Sequence, residues 1–366
     1  MSLKPSDLFN FMLRHVAGQD EALRYVSVAI FKHLCGEPAG NLLMIGNSGT
    51  GKTTIMRAAE QMYLANPSFQ KHRVVARMNA NTLASEQGEV ITGRQLFTTV
   101  QERALQILGK EATPDNVKTL IEHATICIDE VDKVSAVVGG RSNPTGIHIQ
   151  QSLLTLMEDE RVTFETRLLD GSEYRPVQME IDTRKLLFIC AGAFEELYDQ
   201  VYARIVEDKG QEEMTEMTSD FAGNIAFEQV FSLSDHLNQE DLFKYGMMPQ
   251  FLSRFDTTLV LGVLSPAILE SIFAGTKDSI FETSKRFFER FKIELRITDG
   301  AKKLIAHKAA LQSRVGARAL KDVYSRVIEP FEFDPFEKGR QAHMEALDGG
   351  RYALTLTEEL VRQRLG

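Results

Sequence analysis

The sequence predicts an α/β protein: a large domain built on a parallel sheet, followed by a smaller and mainly helical C-terminal domain. Short apolar runs alternate with segments of helical periodicity, which is typical of parallel strands joined by helices. A glycine-rich turn follows the first apolar run, and a Ser265-Pro266 pair ends the alternation. We therefore expect a large domain over residues 1–264 and a helical lid domain over residues 265–366.

The large domain begins with helices and continues with strands. Residues 6–34 predict two helices that are separated at Ala17-Gly18, because apolar side chains recur at helical spacing on both sides. A long polar and acidic stretch, about 199–245, predicts an exposed insertion before the last strand. The predicted strands are the apolar runs 42–45, 74–78, 125–128, 186–190 and 257–263. Strands this continuously apolar are expected to be buried on both faces of their sheet.

The smaller domain has a different pattern. Residues 267–291 and 299–329 are predicted as amphipathic helices, and "YALTLT" at 352–357 predicts a late strand. We expect a mainly helical unit here.

Composition limits the classes of function. The net charge of −9 and the pI near 5.5 argue against a large nucleic-acid footprint. The three cysteines, Cys35, Cys127 and Cys190, are far apart and form no C-x-x-C metal pair. No signal pattern opens the chain, and no apolar run approaches the roughly 18 residues of a membrane span. These features predict a cytoplasmic protein with no membrane segment.

The stretch "NLLMIGNSGTGKTT" at 41–54 carries the strongest chemical signal. It fits the pattern G-x-x-x-x-G-K-[ST], and it follows a predicted strand and precedes a predicted helix, which is the context that a phosphate loop requires. Backbone N–H groups at such a helix N-terminus surround phosphate oxygens, while Lys52 reaches the terminal phosphates and the Thr53 hydroxyl ligates Mg²⁺. The predicted nucleotide-contacting residues are Asn47, Ser48, Gly49, Thr50, Gly51, Lys52, Thr53 and Thr54.

Hydrolysis of a bound nucleotide also needs a metal ligand and a residue that orients the attacking water, and an acidic pair in the sequence can supply both. "TICIDEVDK" is an apolar strand that ends in Asp129 and Glu130. We predict that Asp129 holds Mg²⁺ through water, so that Thr53 and Asp129 form the metal site. Glu130 is predicted to orient and polarise the attacking water. With the phosphate loop, this pair predicts an ATPase that uses ATP and Mg²⁺.

Two arginine segments lie downstream. "DLFKYGMMPQFLSRFD" predicts a helix-turn-helix that presents Arg254, whose planar fork suits a transferring phosphoryl group. Spacing alone favours a plainer role for it, in a surface ion pair. "SRVGARALKDVY" places Arg314, Arg318 and Lys321 at a helix start, where cations oppose the helix dipole. The residues leave open whether an anion docks there or the face is simply solvated.

These motifs together resemble a known family. "GNSGTGKT", "CIDEVDK", "LFICAGAF", "DLFKYGMMPQFLSRF" and "VGARAL", in this order, resemble the AAA+ ATPases of the Clp/HslU group and within it the ClpX family, over about residues 6–330. The resemblance implies that Val16 and Ala17 touch adenine and that Arg254 enters the neighbouring subunit's site as a finger. It also implies that Arg318 is the second sensor and that the chain forms a homo-oligomeric ring, usually a hexamer.

The sequence departs from that family at its substrate end. The four-cysteine zinc domain that begins ClpX proteins has no counterpart before the first motif. The Gly-Tyr-Val-Gly pore loop is replaced by "NTLASEQGEVITGRQLF", in which Val90 and Ile91 are the predicted gripping pair. The Ile-Gly-Phe of the peptidase-docking loop is absent from 195–245, so the sequence gives no support for a peptidase partner. The first sensor is obscure in "ICAGAF".

The leading hypothesis is a ring-forming AAA+ unfoldase or chaperone that couples ATP hydrolysis to remodelling of polypeptide substrates. The alternative is a nucleic-acid-acting AAA+ motor, a helicase or loader, against which the acidic balance counts. A third hypothesis is a small-molecule phosphotransferase that shares only the phosphate loop.

Overall fold

The computed structural model describes residues 3–83, 92–158, 161–170, 173–209, 215–219, 225–229, 231–275, 279–312, 315–337 and 343–366. The chain divides into two compact units. The first unit comprises Met1–Gly46 and Lys52–Leu261, and the second comprises Asn47–Gly51 and Gly262–Gly366.

The first unit contains ten of the described helices. They are α1 (Pro5–Leu13), α2 (Asp20–Cys35), α3 (Lys52–Ala65), α4 (Thr92–Leu108), α5 (Pro114–Glu122), α6 (Pro144–Met157), α7 (Glu195–Lys209), α8 (Leu233–His236), α9 (Gln239–Tyr245) and α10 (Pro249–Leu252). The two helices predicted within 6–34 are confirmed as α1 and α2, and Ala17 and Gly18 lie in the segment between them.

A five-stranded parallel sheet forms the centre of the first unit, which confirms the predicted fold class. Its order is β11-β1-β8-β3-β2, so that β8 lies between β1 and β3. The five predicted strands are present, with ends shifted by up to three residues. They are β1 (Asn41–Ile45), β2 (Val75–Asn79), β3 (Thr125–Asp129), β8 (Leu187–Gly192) and β11 (Phe255–Val260).

The three inner strands, β1, β8 and β3, are almost wholly buried because both faces of the sheet are covered, whereas the edge strands β2 and β11 also carry exposed polar residues. Leu43, Ile45 and Phe188 lie in the core on one face, whereas Leu42 and Met44 lie in the core on the other. Successive side chains of a strand point to opposite faces, so each face receives alternate residues. The carboxyl ends of these strands share one edge of the sheet, and this edge positions the site described below.

Three antiparallel hairpins were not predicted from the sequence. Their strands do not belong to the parallel sheet, and they are either only two residues long or mix polar with apolar residues, so no long apolar run marks them. They are β4–β5 (Val137–Val138, Arg141–Ser142), β6–β7 (Arg161–Asp170, Glu173–Asp182) and β9–β10 (Thr215–Ser219, Ile225–Gln229).

The second unit is mainly helical and also contains a three-stranded sheet of order β12-β14-β13. Each of the two predicted helical ranges contains two helices, and Gly275 and Gly316 lie in the breaks. The predicted late strand is confirmed as β14. The elements are α11 (Pro266–Ala274), α12 (Ile280–Glu289), β12 (Ile293–Ile297), α13 (Asp299–Ala310), α14 (Arg318–Phe333), β13 (Met344–Leu347), β14 (Arg351–Leu356) and α15 (Glu358–Leu365).

Among the described residues, no helix has both the length and the apolar character needed to cross a membrane.

Candidate functional site

The glycine-rich stretch is a tight turn between β1 and α3. The Gly46 N–H donates to the Gly192 carbonyl at 3.2 Å, which joins the ends of β1 and β8. The N–H and the hydroxyl of Thr50 both donate to the Asn47 carbonyl, at 3.3 and 2.9 Å. Gly51 has a φ of 109°, a conformation that glycine adopts without strain. The turn therefore delivers the chain to the N-terminus of α3, where backbone N–H groups and the helix dipole favour an anion.

Gly49 has to be glycine both because of its backbone conformation and because another segment approaches it closely. It belongs to the second compact unit, in which the Ala317 N–H donates to the Gly49 carbonyl at 3.0 Å. A Cβ at Gly49 would collide with the carbonyl oxygen of Val315. The φ of 75° adds a conformational requirement to this close approach.

Lys52 is the first residue of α3 and is almost fully buried, with 8% of its surface exposed. Its Nζ donates to the Gly46 carbonyl, so the ammonium lies against the loop that precedes it. A buried lysine needs hydrogen-bonding partners, and an ammonium beside the N-terminus of a helix adds positive charge where the helix dipole is also positive. This arrangement suits a polyphosphate.

The two predicted metal ligands meet across the top of the sheet. Thr53, in the first turn of α3, donates its hydroxyl to Asp129 Oδ2 at 2.8 Å, and Asp129 ends β3. A hydroxyl and a carboxylate are oxygen ligands of the kind that Mg²⁺ prefers, beside the oxygens of a bound phosphate. The residues present therefore fit Mg²⁺. The described part of the chain contains no cluster of three or more His, Cys, Asp or Glu that could hold a metal by side chains alone.

Glu130 adopts a backbone conformation that is uncommon for its residue type. Its φ is 60° and its ψ 35°, in the left-handed region, and its N–H donates to Asp129 Oδ1 at 3.0 Å. Non-glycine residues in this region cost free energy and are concentrated at functional sites. The side chain is exposed beyond the end of β3. A carboxylate in this place can orient a water molecule next to phosphates.

A third acid in the same motif was not predicted from the sequence. Asp132 is 3% exposed, and its Oδ1 accepts the Ala193 N–H at 3.1 Å. Lys133 Nζ lies 3.2 Å from Asp132 Oδ2, and this carboxylate raises the pKa of Lys133. Asp132 therefore ties the turn after Glu130 to the end of β8. Its position three residues after Asp129, inside a helical turn, was the signal that could have identified it.

Arg254 lies at the opposite edge of the sheet. It precedes β11, and its carbonyl accepts a hydrogen bond from Asn41 Nδ2 at 3.0 Å, at the amino end of β1. Asn41 Oδ1 in turn accepts the Phe188 N–H at 3.0 Å. The guanidinium pairs with Glu158 at 2.8 Å, a partner that the sequence analysis did not identify.

The remaining predicted residues lie elsewhere. Arg318 begins α14 in the second unit. Val16 is buried in the apolar core beside α1 and α2, and Ala17 is half-buried. Val90 and Ile91, the predicted gripping pair, lie outside the described residues, as does Arg314. At the predicted place of the first sensor, the end of β8, the structure has Gly192 as the last strand residue and Ala193 after it, and neither carries a polar side chain.

A parallel sheet with a phosphate loop at its carboxyl edge, a buried lysine, and a threonine hydroxyl bonded to the carboxylate at the end of the third strand define a phosphate-loop nucleoside triphosphatase. Comparison with known protein families specifies the class further. The family described as AAA domain (Cdc48 subfamily) matches residues 37–258, and the C-terminal D2-small domain of ClpB protein matches residues 264–335. The chain belongs to the AAA family, and it is an ATPase.

Individual relatives point to one branch of this family. The ATP-dependent Clp protease ATP-binding subunit ClpX of Bacteroides thetaiotaomicron is 25% identical over 367 residues, which cover 96% of this chain and 82% of the relative. The protein of the same name from Treponema denticola is 28% identical over 357 residues, covering 92% and 79%. The Bacteroides fragilis protein of that name is 24% identical, covering 96% and 81%. This similarity over nearly the whole chain confirms the resemblance to ClpX.

Proposed function

We propose that the protein is a ring-forming AAA+ unfoldase of the Clp type, which hydrolyses ATP at sites shared by neighbouring chains and uses the cycle to remodel polypeptides. The position of Arg254 carries this proposal. The phosphate loop follows the carboxyl end of β1, whereas Arg254 is bonded to the amino end of the same strand. Five residues of parallel strand span roughly 16 Å, which is longer than an arginine side chain. An arginine that acts on phosphates from this edge has to act on another chain's phosphates.

Within one chain, we assign the binding roles to the carboxyl edge of the sheet. Lys52 and the loop N–H groups would hold the terminal phosphates of ATP, and Thr53 and Asp129 would hold Mg²⁺. The metal would supply positive charge that offsets the charge on the phosphates. Glu130 would orient the attacking water and accept its proton. Arg254 of a neighbouring chain would stabilise the charge that develops on the transferring phosphoryl group.

Adenine contacts at Val16 and Ala17, and a second sensor at Arg318, belong to the same proposal. Arg318 is supported by its place at the start of α14, directly after the Ala317 N–H that binds Gly49 of the phosphate loop. Polypeptide as the substrate is supported by the ClpX relatives, which are named as subunits of a protease. The net charge of −9 makes nucleic acid a poor alternative partner.

The decisive experiment measures the ATPase rate per chain against protein concentration, for the wild type and Arg254→Ala, with and without an unfolded protein such as casein. We expect a wild-type rate that rises with concentration and with casein, and a loss of about a thousandfold or more in Arg254→Ala, because a phosphate-stabilising arginine contributes on this scale. Arg161→Ala is the matched control, because it removes another arginine that forms an exposed ion pair, with Glu180 at 3.1 Å.

Mixing two inactive chains tests action between subunits. Arg254→Ala retains Glu130, and a Glu130→Gln chain retains Arg254, so a mixed ring would contain complete sites. We expect mixing to restore part of the activity. Full turnover in Arg254→Ala, at a rate independent of concentration, would contradict the proposed ring mechanism.

A further inference from the structure

The arginine proposed as the finger is held by a carboxylate of its own chain. Arg254 Nη2 donates to Glu158 Oε1 at 2.8 Å, and the two side chains are 38% and 35% exposed. The Nε–H of Arg254 is buried and has no hydrogen-bond partner. Within the described residues, the guanidinium therefore makes a single hydrogen bond to Glu158 instead of the two parallel bonds of a fork, which are the stronger arrangement. A phosphate that accepted hydrogen bonds from two donors of the guanidinium at once would bind this side chain more strongly than the single bond to Glu158 does.

Glu158 stands where a carboxylate is unfavourable by itself. It caps the C-terminus of the 14-residue helix α6, and its N–H donates to the Thr155 carbonyl at 3.4 Å. The C-terminal end of a helix carries partial negative charge, so an anion there is repelled. The positive charge of Arg254 offsets the carboxylate of Glu158 and lowers its repulsion from the helix end. The contact therefore stabilises Glu158 as much as it restrains Arg254.

Helix α6 is firmly joined to the segment that presents Arg254. Gln150 is fully buried in α6, and its Nε2 donates to the Val134 and Gly246 carbonyls at 2.8 and 3.2 Å, while its Oε1 accepts the Met248 N–H at 2.7 Å. Val134 ends the short turn that begins after Glu130, and Met248 immediately precedes α10. One glutamine thus joins the turn after Glu130, the helix that carries Glu158, and the segment that leads to Arg254.

We propose that Glu158 is a resting dock for Arg254, which competes with the phosphates of a neighbouring chain for the guanidinium. The inference rests on the proposed function, since it requires that Arg254 acts on a neighbour. Removing the charge of Glu158 releases Arg254, so that chains engage one another at lower concentration. An ion pair as exposed as this one shifts a two-state equilibrium about two- to fivefold, which sets the size of the expected effect.

The test is the concentration dependence of the ATPase rate in Glu158→Gln, which keeps the length of the side chain and removes its charge. We expect the protein concentration at half-maximal rate to fall about two- to fivefold while the maximal rate is retained. Glu158→Asp should restore much of the wild-type value, because it restores the charge. Glu180→Gln, which breaks the exposed pair with Arg161, is the matched control and should shift nothing.

A purely structural role of Glu158 predicts a different result, namely a lower melting temperature and a lower rate at every concentration. An unchanged or raised half-maximal concentration in Glu158→Gln would overturn the dock. The double variant Glu158→Gln/Arg254→Ala should be no different from Arg254→Ala, because the carboxylate acts through the arginine.

The two proposals fail in distinguishable ways. Full turnover in Arg254→Ala would contradict both proposals, the action of Arg254 on a neighbouring chain and the role of Glu158 as its dock. If Arg254→Ala loses turnover but Glu158→Gln leaves the protein concentration at half-maximal rate unchanged, only the proposed role of Glu158 is contradicted.

Discussion

The two edges of the parallel sheet have opposite chemical characters. At the carboxyl edge lie Thr53, Asp129 and Glu130, which are hydrogen-bonded, charged or strained, and open to a ligand. At the amino edge, His33 and His72 lie in a buried cluster. The same strands end in both edges, so the difference comes from the residues that flank each strand. The charged strand ends of the carboxyl edge are available for chemistry. At the amino edge, neutral rings seal one part of the sheet, and Arg254 lies at another part, beside β1 and β11.

The amino-edge cluster is built from the residues that precede the strands. His33 and His72 pack edge to face at 4.8 Å between ring centroids, and His72 and His123 do so at 5.2 Å. His33 Nε2 lies 2.9 Å from the Lys185 carbonyl, and its Nδ1 lies 3.2 Å from the Tyr63 hydroxyl. A carbonyl only accepts, so the neutral His33 ring carries its proton on Nε2 and accepts from Tyr63 at Nδ1.

Among the changes that test the difference between the two edges, we expect the largest effect from a substitution of Glu130 at the carboxyl edge. We expect Glu130→Gln to bind ATP about as tightly as the wild type and to hydrolyse it roughly a thousandfold more slowly, because the amide cannot accept the proton of the attacking water. A nucleotide-binding titration and a single-turnover assay measure the two steps separately. The substitution should leave the free energy of unfolding almost unchanged or raise it slightly, since it keeps the backbone conformation and removes a negative charge next to the Asp129 carboxylate. Normal turnover in this variant would remove Glu130 from the chemistry.

The next largest effect is the loss of folding stability at low pH, and we expect it to arise from the histidines of the amino edge. Burial, and then the neighbouring His72, lower the pKa of His33 to about 3, and burial, and then His123, lower that of His72 to about 4. The unfolded chain binds these protons near pH 6.5 and the folded chain does not, so the unfolded state gains protons as the pH falls. Stability should therefore be fully present above pH 6.5 and decrease below it, by roughly 3 kcal/mol at pH 4 for each of the two histidines.

Urea unfolding at pH 7, 6, 5 and 4 measures this decrease. The matched pair is His72→Phe, which removes one buried histidine, and His148→Phe, which removes an exposed one from α6. His72→Phe should flatten the dependence on pH, and His148→Phe should leave it as in the wild type. A wild-type stability that does not change between pH 7 and pH 5 would contradict the assignment of the cluster as neutral and buried.

The sequence predicted the carboxyl edge far better than the amino edge. Phosphate binding needs a glycine-rich turn, a lysine and a hydroxyl that follow one another in the sequence. The stretch "GNSGTGKTT" contains all of these groups within nine residues. His33, His72 and His123 are separated by dozens of residues, and only the parallel order of the strands brings them together. Arg254 was identified by its motif, but Glu158 was not, because a glutamate at a helix end has no distinctive pattern. A short stretch of sequence does not show which distant segments will be in contact. The role of Gln150, which bonds to Val134, Gly246 and Met248, could not be predicted for the same reason.

The smallest effect concerns a single hydroxyl of the amino edge. Tyr63 is fully buried, accepts a hydrogen bond from the Thr125 hydroxyl at 3.0 Å and donates to His33. Burial raises its pKa, so the phenol stays protonated and available as a donor. Tyr63→Phe keeps the ring and leaves two buried polar groups without their partner, so we expect the free energy of unfolding to fall by about 1–2 kcal/mol.

The ATPase rate distinguishes a local effect of Tyr63→Phe from one that crosses the sheet. If the two edges act independently, the rate at saturating ATP should remain within about twofold of the wild type, because no hydrogen bond of Thr53, Asp129 or Glu130 is altered. Tyr25→Phe, at an exposed tyrosine of α2, controls for the loss of a hydroxyl and should change neither quantity. A tenfold lower rate in a fully folded Tyr63→Phe protein would mean that the amino edge positions the strand ends at which hydrolysis occurs. The packing of the histidine cluster would then be part of the catalytic machinery.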